Sequence, residues 1–359
     1  MRRILYGLAI ALAAVSCMKY GPMEEENFDM SGSFGDGSTV TGKGLLIACE
    51  GNFMYGNASL SYYDPESRHV ENEVFARANA QKLGDVAHSM AYHNGVWLVV
   101  NSSGVIFAID PDTFREVGRI TGFTSPRCIH FVSDEKAYVT QLWDPRICIV
   151  NPKTYAITGY IDTGMDPETA STEQLVQVGK YVYTNCWSYQ NRILKIDSER
   201  DEIVGELTVG IQPVSLVLDC NGKLWVLTDG GYEGSPYGYE APSLCRIDPE
   251  TFTIEQRFRF ALGDYPSSLT LNGAGDRLYW INRDVWSMEV TADRVPARPL
   301  IEASGTIYYA LTVNPVSGEI YVADAIDYVQ PGVVLRFSPD GIRTDSFTVG
   351  VTPGAFCWR

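Results

Sequence analysis

Short apolar runs that end in Asp or Asn recur along the chain, and a turn and another strand-like run follow each one. Five clear copies of this motif are Ser61–Asp64, Phe107–Asp110, Cys148–Asn151, Leu194–Asp197 and Cys245–Asp248. Their terminal Asp or Asn residues are 46, 41, 46 and 51 residues apart. Weaker copies at Leu335–Ser338 and Trp286–Val290 occupy the remaining places. The pattern indicates an internal repeat of about 45 residues.

Each repeat contains four strand-like runs separated by turn residues, and none of them has helical periodicity. Four short strands in a unit of about 45 residues are typical of a blade in a β-propeller. The sequence therefore predicts an all-β fold, a seven-bladed β-propeller over residues 44–359 with four antiparallel strands per blade.

The two ends of this region predict how the ring closes. Residues 44–49 match the second strand of a repeat with no first strand before it, and residues 352–358 match a first strand with nothing after it. We expect these C-terminal and N-terminal strands to pair in one blade, which removes two exposed sheet edges. Cys49 and Cys357 then lie on neighbouring strands, and we expect their thiols to remain free.

The N-terminal residues read as a targeting segment. Two arginines and an apolar stretch lead to Ala14-Val-Ser-Cys17, the layout of a signal peptide that ends in a lipobox. We predict a lipoprotein signal peptide over residues 1–17, lipidation of Cys17 and a flexible tether over residues 18–43; an ordinary secretory signal is the alternative. Glu24, Glu25 and Glu26 resemble the acidic export signals of surface lipoproteins in Bacteroidetes, although a plain solvated linker explains them equally well.

The charge of the chain limits its partners. There are 28 Lys and Arg residues against 44 Asp and Glu residues, a formal net charge of −16. Because binding to phosphate-rich surfaces depends on clustered basic charge, nucleic acid and anionic lipid are poor candidates. We expect contact with a membrane only through the lipid anchor.

The loops predict a binding surface on one face of the ring. In a propeller, the loops from strand two to strand three share a face with those from strand four to the next strand one. Here they are long and rich in aromatic and amide residues, whereas the turns on the other face are short and formulaic. Aromatic residues gathered on one face favour ligand binding over packing under their own loops. The candidate ligand-binding residues are Asn52, Phe53, Tyr55, Arg127, Trp143, Asp144, Gln174, Trp187, Tyr189, Gln190, Tyr232, Tyr237 and Tyr328.

Catalytic and metal-binding patterns are weak in the sequence. The histidines His69, His88, His93 and His130 form no metal-ligand set, no Cys-x-x-Cys occurs, and no Ser-His-Asp order or nucleophile elbow is present. We therefore predict no metal site, no catalytic cofactor and no enzymatic activity. Paired loop carboxylates, Asp324 with Asp327 or Glu233 with Glu240, leave a hydrolase or lyase open as the alternative.

Three segments carry a family resemblance: Glu50–Asn52, Asn57–Asp64 and Leu83–Asp85. They resemble the YncE-like seven-bladed propeller lipoproteins of Bacteroidetes, and within that group the surface lipoproteins that capture vitamin B12 (cobalamin). Cys49 stands where the family pattern often has Asn. At the level of the fold, the resemblance covers residues 44–358.

The resemblance implies a non-enzymatic receptor. Such a protein is anchored in the outer membrane and exposed at the cell surface, binds cobalamin or a related corrinoid on its loop face, and delivers it to a TonB-dependent cobalamin transporter. Apart from a hydrolase or lyase acting on a surface nutrient, a scaffold that binds proteins or glycans also remains open.

Overall fold

The structure, a computed structural model, describes residues 42–359, which form a seven-bladed β-propeller. The predicted signal peptide, Cys17 and nearly all of the predicted tether lie outside the described residues. In residues 42–359, no helix has the length and apolar character needed to cross a membrane.

The blades follow one another along the chain, and each is an antiparallel sheet. Blade 1 contains β1 (Leu45–Cys49), β2 (Ser59–Asp64) and β3 (His69–Glu71), and a short helix α1 (Val74–Asn79) follows it. Blade 2 is β4 (Ala87–Tyr92), β5 (Val96–Val100), β6 (Val105–Ile109) and β7 (Glu116–Thr121); blade 3 is β8 (Pro126–Ser133), β9 (Lys136–Gln141), β10 (Arg146–Asn151) and β11 (Ala156–Asp162). Blade 4 is β12 (Leu175–Val178), β13 (Tyr181–Cys186), β14 (Arg192–Asp197) and β15 (Glu202–Thr208); blade 5 is β16 (Pro213–Leu218), β17 (Leu224–Thr228), β18 (Ser243–Asp248) and β19 (Thr253–Arg259). Blade 6 is β20 (Ser267–Leu271), β21 (Arg277–Asn282) and β22 (Asp284–Glu289); blade 7 is β23 (Tyr308–Val313), β24 (Ile320–Asp324), β25 (Pro331–Phe337) and β26 (Arg343–Val351). The last strand, β27 (Pro353–Trp358), completes blade 1.

Ring closure follows the prediction from the chain ends. Strand β27 pairs antiparallel with β1, with Leu46 opposite Cys357, and becomes the innermost strand of blade 1. Cys49 and Cys357 lie on these neighbouring strands and are both free and buried. The backbone N–H of Glu50 donates to the carbonyl of Thr352 at 2.9 Å and extends the closure beyond the strands.

Second strands and outermost strands differ in their pattern of buried and exposed residues. Second strands such as β5 and β17 are buried at every residue because neighbouring blades cover both of their faces. Outermost strands such as β15 alternate exposed and partly buried residues because one face meets solvent. The hydrophobic core therefore lies between the blades.

Tyrosine hydroxyls link neighbouring blades at several of these interfaces. The hydroxyl of Tyr63 donates to Asp345 at 2.8 Å, and that of Tyr183 donates to the carbonyl of Pro249 at 2.8 Å. Tyr138 donates in the same way to Asp201. Each ring fills the apolar interface while its hydroxyl has a polar partner, which is the arrangement a buried Tyr requires.

Blade 6 has three regular strands, and its fourth is reduced to a bridge between Val285 and Ile301. The segment leading to Ile301 contains Pro296 and Pro299. Proline has no N–H to donate to a β-ladder, so a full strand cannot form there. The helix α1 also departs from the strand-only pattern, and it buries Val74 and Phe75.

Candidate functional site

The loops between second and third strands and between consecutive blades lie on one side of the ring, which we call the loop face. It consists of residues 50–58, 72–86, 101–104, 122–125, 142–145, 163–174, 187–191, 209–212, 229–242, 260–266, 302–307 and 325–330. The innermost strands begin at this face, so the loop face surrounds one end of the central channel.

Exposed aromatic side chains concentrate on the loop face. Within residues 42–359, seven of the eight exposed aromatic residues lie there, and Tyr160 on β11 is the exception. The seven are Phe53, Tyr55, Trp143, Tyr232, Tyr237, Tyr265 and Tyr328. Since exposed aromatic surface has a hydration cost, its concentration on one side favours a binding surface.

Three of the candidate residues form a continuous aromatic row across blades 3, 4 and 5. The rings of Tyr189 and Tyr237 are stacked, with centroids 4.3 Å apart, and Trp143 meets Tyr189 at 6.3 Å and an angle of 44°. Trp143 and Tyr237 remain exposed, whereas Tyr189 is half-buried between them. The row joins aromatic side chains from three separate loops into one cluster.

The loops that carry this row hold unfavourable backbone conformations. Trp143 and Tyr189 have φ angles of 62° and 65°, and Tyr328 on blade 7 has 63°. Left-handed backbone at a bulky residue costs about 1 kcal/mol or more and persists only where the surroundings impose it. For Trp143, the constraint includes a hydrogen bond from its N–H to the carbonyl of Ala170 at 2.9 Å.

A second aromatic group lies on blades 1 and 7. Tyr328 meets the ring of Tyr309 edge-on at 5.7 Å, and its carbonyl accepts a hydrogen bond from Nδ2 of Asn52 at 2.6 Å. Phe53 and Tyr55, in the same loop as Asn52, are 68% and 78% exposed. Asn52 therefore joins the two loops, and Phe53 and Tyr55 project freely.

Several other candidate residues have intramolecular partners. The carboxylate of Asp144 binds the backbone and side chain of Arg146 at 3.0 Å, and Gln190 donates from Nε2 to the carbonyl of Thr169. Oε1 of Gln174 accepts the backbone N–H of Leu216 at 2.7 Å, across to blade 5. Asp144, Gln174 and Gln190 hold the loops in place, whereas Tyr232 is exposed in the long loop of blade 5.

The channel beneath the loop face contains a cavity of about 580 Å³. The innermost strands of all seven blades line it, as the propeller prediction requires. Three of the candidate residues, Arg127, Gln174 and Trp187, lie in its wall. The guanidinium of Arg127 is 5.7 Å from the centroid of the Trp187 indole. Exposed rings of the loop face thus surround a polar, partly aromatic cavity.

β-Bulges at the start of the innermost strands turn side chains toward the channel. The pairing register of these strands shifts around His88 in β4, around Arg127 and Cys128 in β8, and around Tyr309 in β23. Equivalent shifts occur around Val214, Ser268 and Gly354. A bulge bends its strand and re-aims a side chain, and bulges are over-represented next to active sites.

Around the bulges, charged and polar groups form the mouth cluster, which consists of Glu50, His88, Arg127, Glu173 and Tyr309. Nε of Arg127 donates to both carboxylate oxygens of Glu173 at 2.8 and 2.9 Å. Nε2 of His88 lies 3.8 Å from the same carboxylate, and the hydroxyl of Tyr309 donates to Glu50 at 3.0 Å. These residues come from blades 1, 2, 3, 4 and 7.

The mouth cluster shifts the pKa values of its acids in opposite directions. Burial raises the pKa of Glu50, against the lowering effects of His88 and of the hydrogen bond from Tyr309. Burial also disfavours ionised Glu173, but Arg127 and His88 outweigh it and hold the pKa of Glu173 below its usual value. One acid is therefore kept ionised while its neighbour is biased toward the neutral form.

Cys128 lies beside this cluster. Its thiol sulfur, the imidazole of His88 and the carboxylate of Glu173 offer ligand atoms that all lie within 4.8 Å of one another. Burial raises the pKa of the Cys128 thiol to about 12. This grouping could not be predicted from the sequence, because the three residues are far apart in the chain and lie on three blades. Aligning the starts of the innermost strands would have placed His88 and Cys128 at one end of the channel.

Three of the four loop carboxylates considered for acid–base chemistry accept structural hydrogen bonds. Oε1 of Glu240 accepts the N–H of Ile211 at 2.8 Å, and Oδ1 of Asp324 accepts the N–H groups of Ile307 and Ile326. Asp327 caps its own turn at Gln330. These three carboxylates stabilise the loop backbone.

The comparisons with known proteins identify the fold and a family. Residues 43–331 match the model of a family described as "Domain of unknown function (DUF5074)". Among solved structures, a quinoprotein alcohol dehydrogenase-like protein from Bacteroides thetaiotaomicron is 15% identical with a TM-score of 0.67, covering 89% of this chain and 79% of that one. A periplasmic gluconolactonase from Pseudomonas aeruginosa is 12% identical with a TM-score of 0.64, covering 88% and 98%. A streptogramin B lyase is 14% identical with a TM-score of 0.54, covering 72% and 81%.

No curated protein matches the chain in sequence. At these identities the similar structures establish the β-propeller fold, and the functions named for them are varied.

Proposed function

The chain belongs to the DUF5074 family, and from that premise we propose that it binds cobalamin or a related corrinoid on its loop face without changing it chemically. The observation that carries the proposal is the aromatic row of Trp143, Tyr189 and Tyr237. A rigid aromatic cluster shared by three loops suits a large, rigid ligand better than a flexible chain.

The surroundings of the row match the chemistry of a corrinoid. A corrin macrocycle is a large, nearly flat ring around a central cobalt ion, carries amide side chains at its edge, and in cobalamin also bears a phosphate. Ring faces can stack on the macrocycle, while amides and backbone groups of the loops bind its edge. Arg127 and Trp187 in the wall of the 580 Å³ cavity can receive a polar side arm.

The strained loops support binding by a pre-formed surface. Trp143, Tyr189 and Tyr328 hold left-handed backbone before any ligand arrives. A surface ordered in advance loses less conformational entropy on binding, so more of the contact energy appears as affinity. We propose that these loops are rigid acceptors for the ligand.

Delivery to a membrane transporter completes the proposal. The lipobox at Cys17 and the resemblance to surface lipoproteins favour a protein anchored in the outer membrane and exposed at the cell surface. Its partner is a TonB-dependent cobalamin transporter that receives the ligand from the loop face. Contact with the membrane is through the lipid alone.

A second candidate, a hydrolase or lyase, rests on one observation. Glu50 is a buried acid whose pKa burial raises, and it lies beside His88 in the mouth cluster. A carboxyl group biased toward its neutral form can act as a general acid. Recovery of the bound compound distinguishes the two functions, because an enzyme returns a changed molecule.

Calorimetric titration of purified residues 18–359 with cyanocobalamin tests the proposal. We expect one site with a micromolar or lower Kd, and unchanged cyanocobalamin in the mixture after incubation. A maltooligosaccharide of similar mass is the control ligand for a glycan-binding scaffold and should give no heat of binding. No binding of cyanocobalamin at micromolar concentration contradicts the proposal.

A further inference from the structure

Three different metal-ligating side chains meet at the loop-face end of the channel. Nε2 of His88, Sγ of Cys128 and a carboxylate oxygen of Glu173 all lie within 4.8 Å of one another, and the imidazole and carboxylate are 3.8 Å apart. All three residues line the 580 Å³ cavity. We propose that His88, Cys128 and Glu173 bind a divalent transition-metal ion of the zinc class.

The separations are close to those that zinc requires. Zinc binds nitrogen and oxygen at about 2.0–2.2 Å and sulfur at about 2.3 Å in tetrahedral geometry, which puts neighbouring ligand atoms roughly 3.3–3.7 Å apart. Side-chain adjustments of about 1 Å or less bring the three groups to that spacing. Three protein ligands leave the fourth position open, and all three of these residues line the cavity.

Thr140 forms hydrogen bonds with the backbone of two of the proposed ligands, Cys128 and Glu173. The N–H of Cys128 donates to Oγ1 of Thr140 at 3.0 Å, and that hydroxyl donates to the carbonyl of Glu173 at 2.7 Å. The N–H of Glu173 donates to the carbonyl of Asn185 at 2.9 Å. Thr140 thus ties two ligands from different blades together, and the bulges in β4 and β8 turn His88 and Cys128 toward them.

Arg127 is placed to act as an outer-shell partner of the metal. Its Nε donates to both oxygens of Glu173, and each carboxylate oxygen retains a lone pair for a metal. Hydrogen-bonded outer groups that orient metal-ligating carboxylates are a regular feature of metal sites. Arg127 can therefore remain bound to Glu173 while Glu173 binds the ion.

The donor set selects the class of ion. Imidazole, thiolate and carboxylate together suit zinc and cobalt(II), whereas calcium and magnesium prefer oxygen ligands throughout. The thiolate and the carboxylate together balance the charge of a divalent ion. The inference goes beyond corrinoid binding, since it concerns the wall of the channel and needs no corrinoid.

Zinc titration of chelator-treated residues 18–359, without any corrinoid, tests the site. We expect one zinc ion per chain with a micromolar or lower Kd, and at least about tenfold weaker binding in His88→Ala and in Cys128→Ser. His93→Ala and Cys220→Ser are the matched controls, because His93 is bound to Asp134 at 2.9 Å away from the cavity and Cys220 is an exposed thiol. Both controls should bind zinc as the parent protein does.

Cobalt(II) supplies a readout that reports the sulfur directly. The parent protein should develop a thiolate-to-cobalt charge-transfer absorption, and Cys128→Ser should not. Circular dichroism of each variant verifies the fold, and Glu173→Gln tests the third ligand in the same way. The proposal is overturned if the parent protein binds no zinc at micromolar concentration, or if His88→Ala and Cys128→Ser leave binding unchanged. Because no corrinoid is present, this outcome leaves the corrinoid proposal standing.

Discussion

At the scale of single residues, Arg127 and Glu173 form a buried ion pair within the mouth cluster. Their side chains are 14% and 7% exposed, and Nε of Arg127 contacts both carboxylate oxygens. Burial costs each group its hydration, and the attraction between them, with His88 beside Glu173, offsets that cost. The pair positions Arg127 against Trp187, so it also shapes the wall of the cavity.

Removing one charge of this pair should destabilise the protein strongly. We expect Glu173→Gln to lower the free energy of unfolding by about 3–5 kcal/mol, because Arg127 is left buried without a counter-charge. Glu135→Gln is the matched control, since the Glu135–Lys153 pair is 70% and 59% exposed and such pairs contribute about 0–1 kcal/mol. Urea unfolding measures both. Equal effects of the two substitutions would contradict the account of the buried pair.

Asp229 makes the stability of the loop face depend on pH. Burial raises the pKa of Asp229 to about 6, against hydrogen bonds from the N–H of Gly231 and from Nε1 of Trp187. The folded protein holds this proton more tightly than the unfolded chain, so protonation of Asp229 stabilises the fold. This stabilisation is fully present below the pKa that Asp229 has in the unfolded chain. It is lost as the pH rises through about 6.

Asp229→Asn should remove this dependence. Relative to the parent, the free energy of unfolding of Asp229→Asn should be higher at about pH 7 than at about pH 4, by about 1–3 kcal/mol. Urea unfolding at the two pH values measures it, and other titrating groups cancel in the comparison. A shift of the opposite sign, or none, would show that Asp229 does not hold the proton.

At the residue scale, the sequence predicts the aromatic residues of the candidate site but not the charged residues and the cysteine at the channel mouth. Trp143, Tyr189 and Tyr237 were identifiable because large aromatic residues are unusual in turns. Glu50, His88, Cys128 and Glu173 were not, since they lie at or next to strand ends, where the sequence reads as ordinary sheet. Only the closed ring brings them together.

At the scale of the element, the innermost strands combine two roles. Their central residues pack as sheet, while the bulges at their starts break the two-residue period and aim side chains at the channel. The repeat predicted the positions of these strands, because apolar runs and turns recur with them. It could not predict the bulges, since one extra residue leaves no mark on an apolar pattern.

Strand β27 is the element that closes the ring, and Trp358 anchors it. The indole is buried, meets Tyr321 edge-on at 5.1 Å and donates from Nε1 to Oγ1 of Thr312 at 3.0 Å. These contacts attach the end of the chain to blade 7. Without them, β27 loses these contacts with blade 7 but keeps its pairing with β1 and the packing of Cys357 against blade 2.

Trp358→Ala should therefore lower the free energy of unfolding by about 3–5 kcal/mol, the usual range for a buried aromatic truncation. The exposed Trp143 provides a control of the same chemistry, and Trp143→Ala should change stability by about 1 kcal/mol or less. The midpoints of urea unfolding compare the two. A small effect of Trp358→Ala would mean that closure does not depend on this anchor.

At the scale of the whole molecule, the sequence predicted the seven-bladed ring well because the same pattern of strands and turns recurs in blade after blade. Strand spacing fixes the blade size, and the unmatched strands at the two ends predict the closure. The predicted four strands are present in six blades, and in blade 6 prolines reduce the fourth to a bridge. The ring in turn creates the site, since the aromatic row spans three blades and the mouth cluster spans five.

The central claim is that this loop face binds a corrinoid, and calorimetry of three variants with cyanocobalamin tests it most directly. Trp143 and Tyr160 are 44% and 48% exposed, but Tyr160 lies on an outermost strand and is not part of the aromatic row. We expect Trp143→Ala and Trp187→Ala each to weaken binding by about fivefold or more, as loss of a stacked ring does, and Tyr160→Ala to leave the Kd within about twofold. Unchanged affinity in both Trp variants, or an equal loss in Tyr160→Ala, would contradict the account.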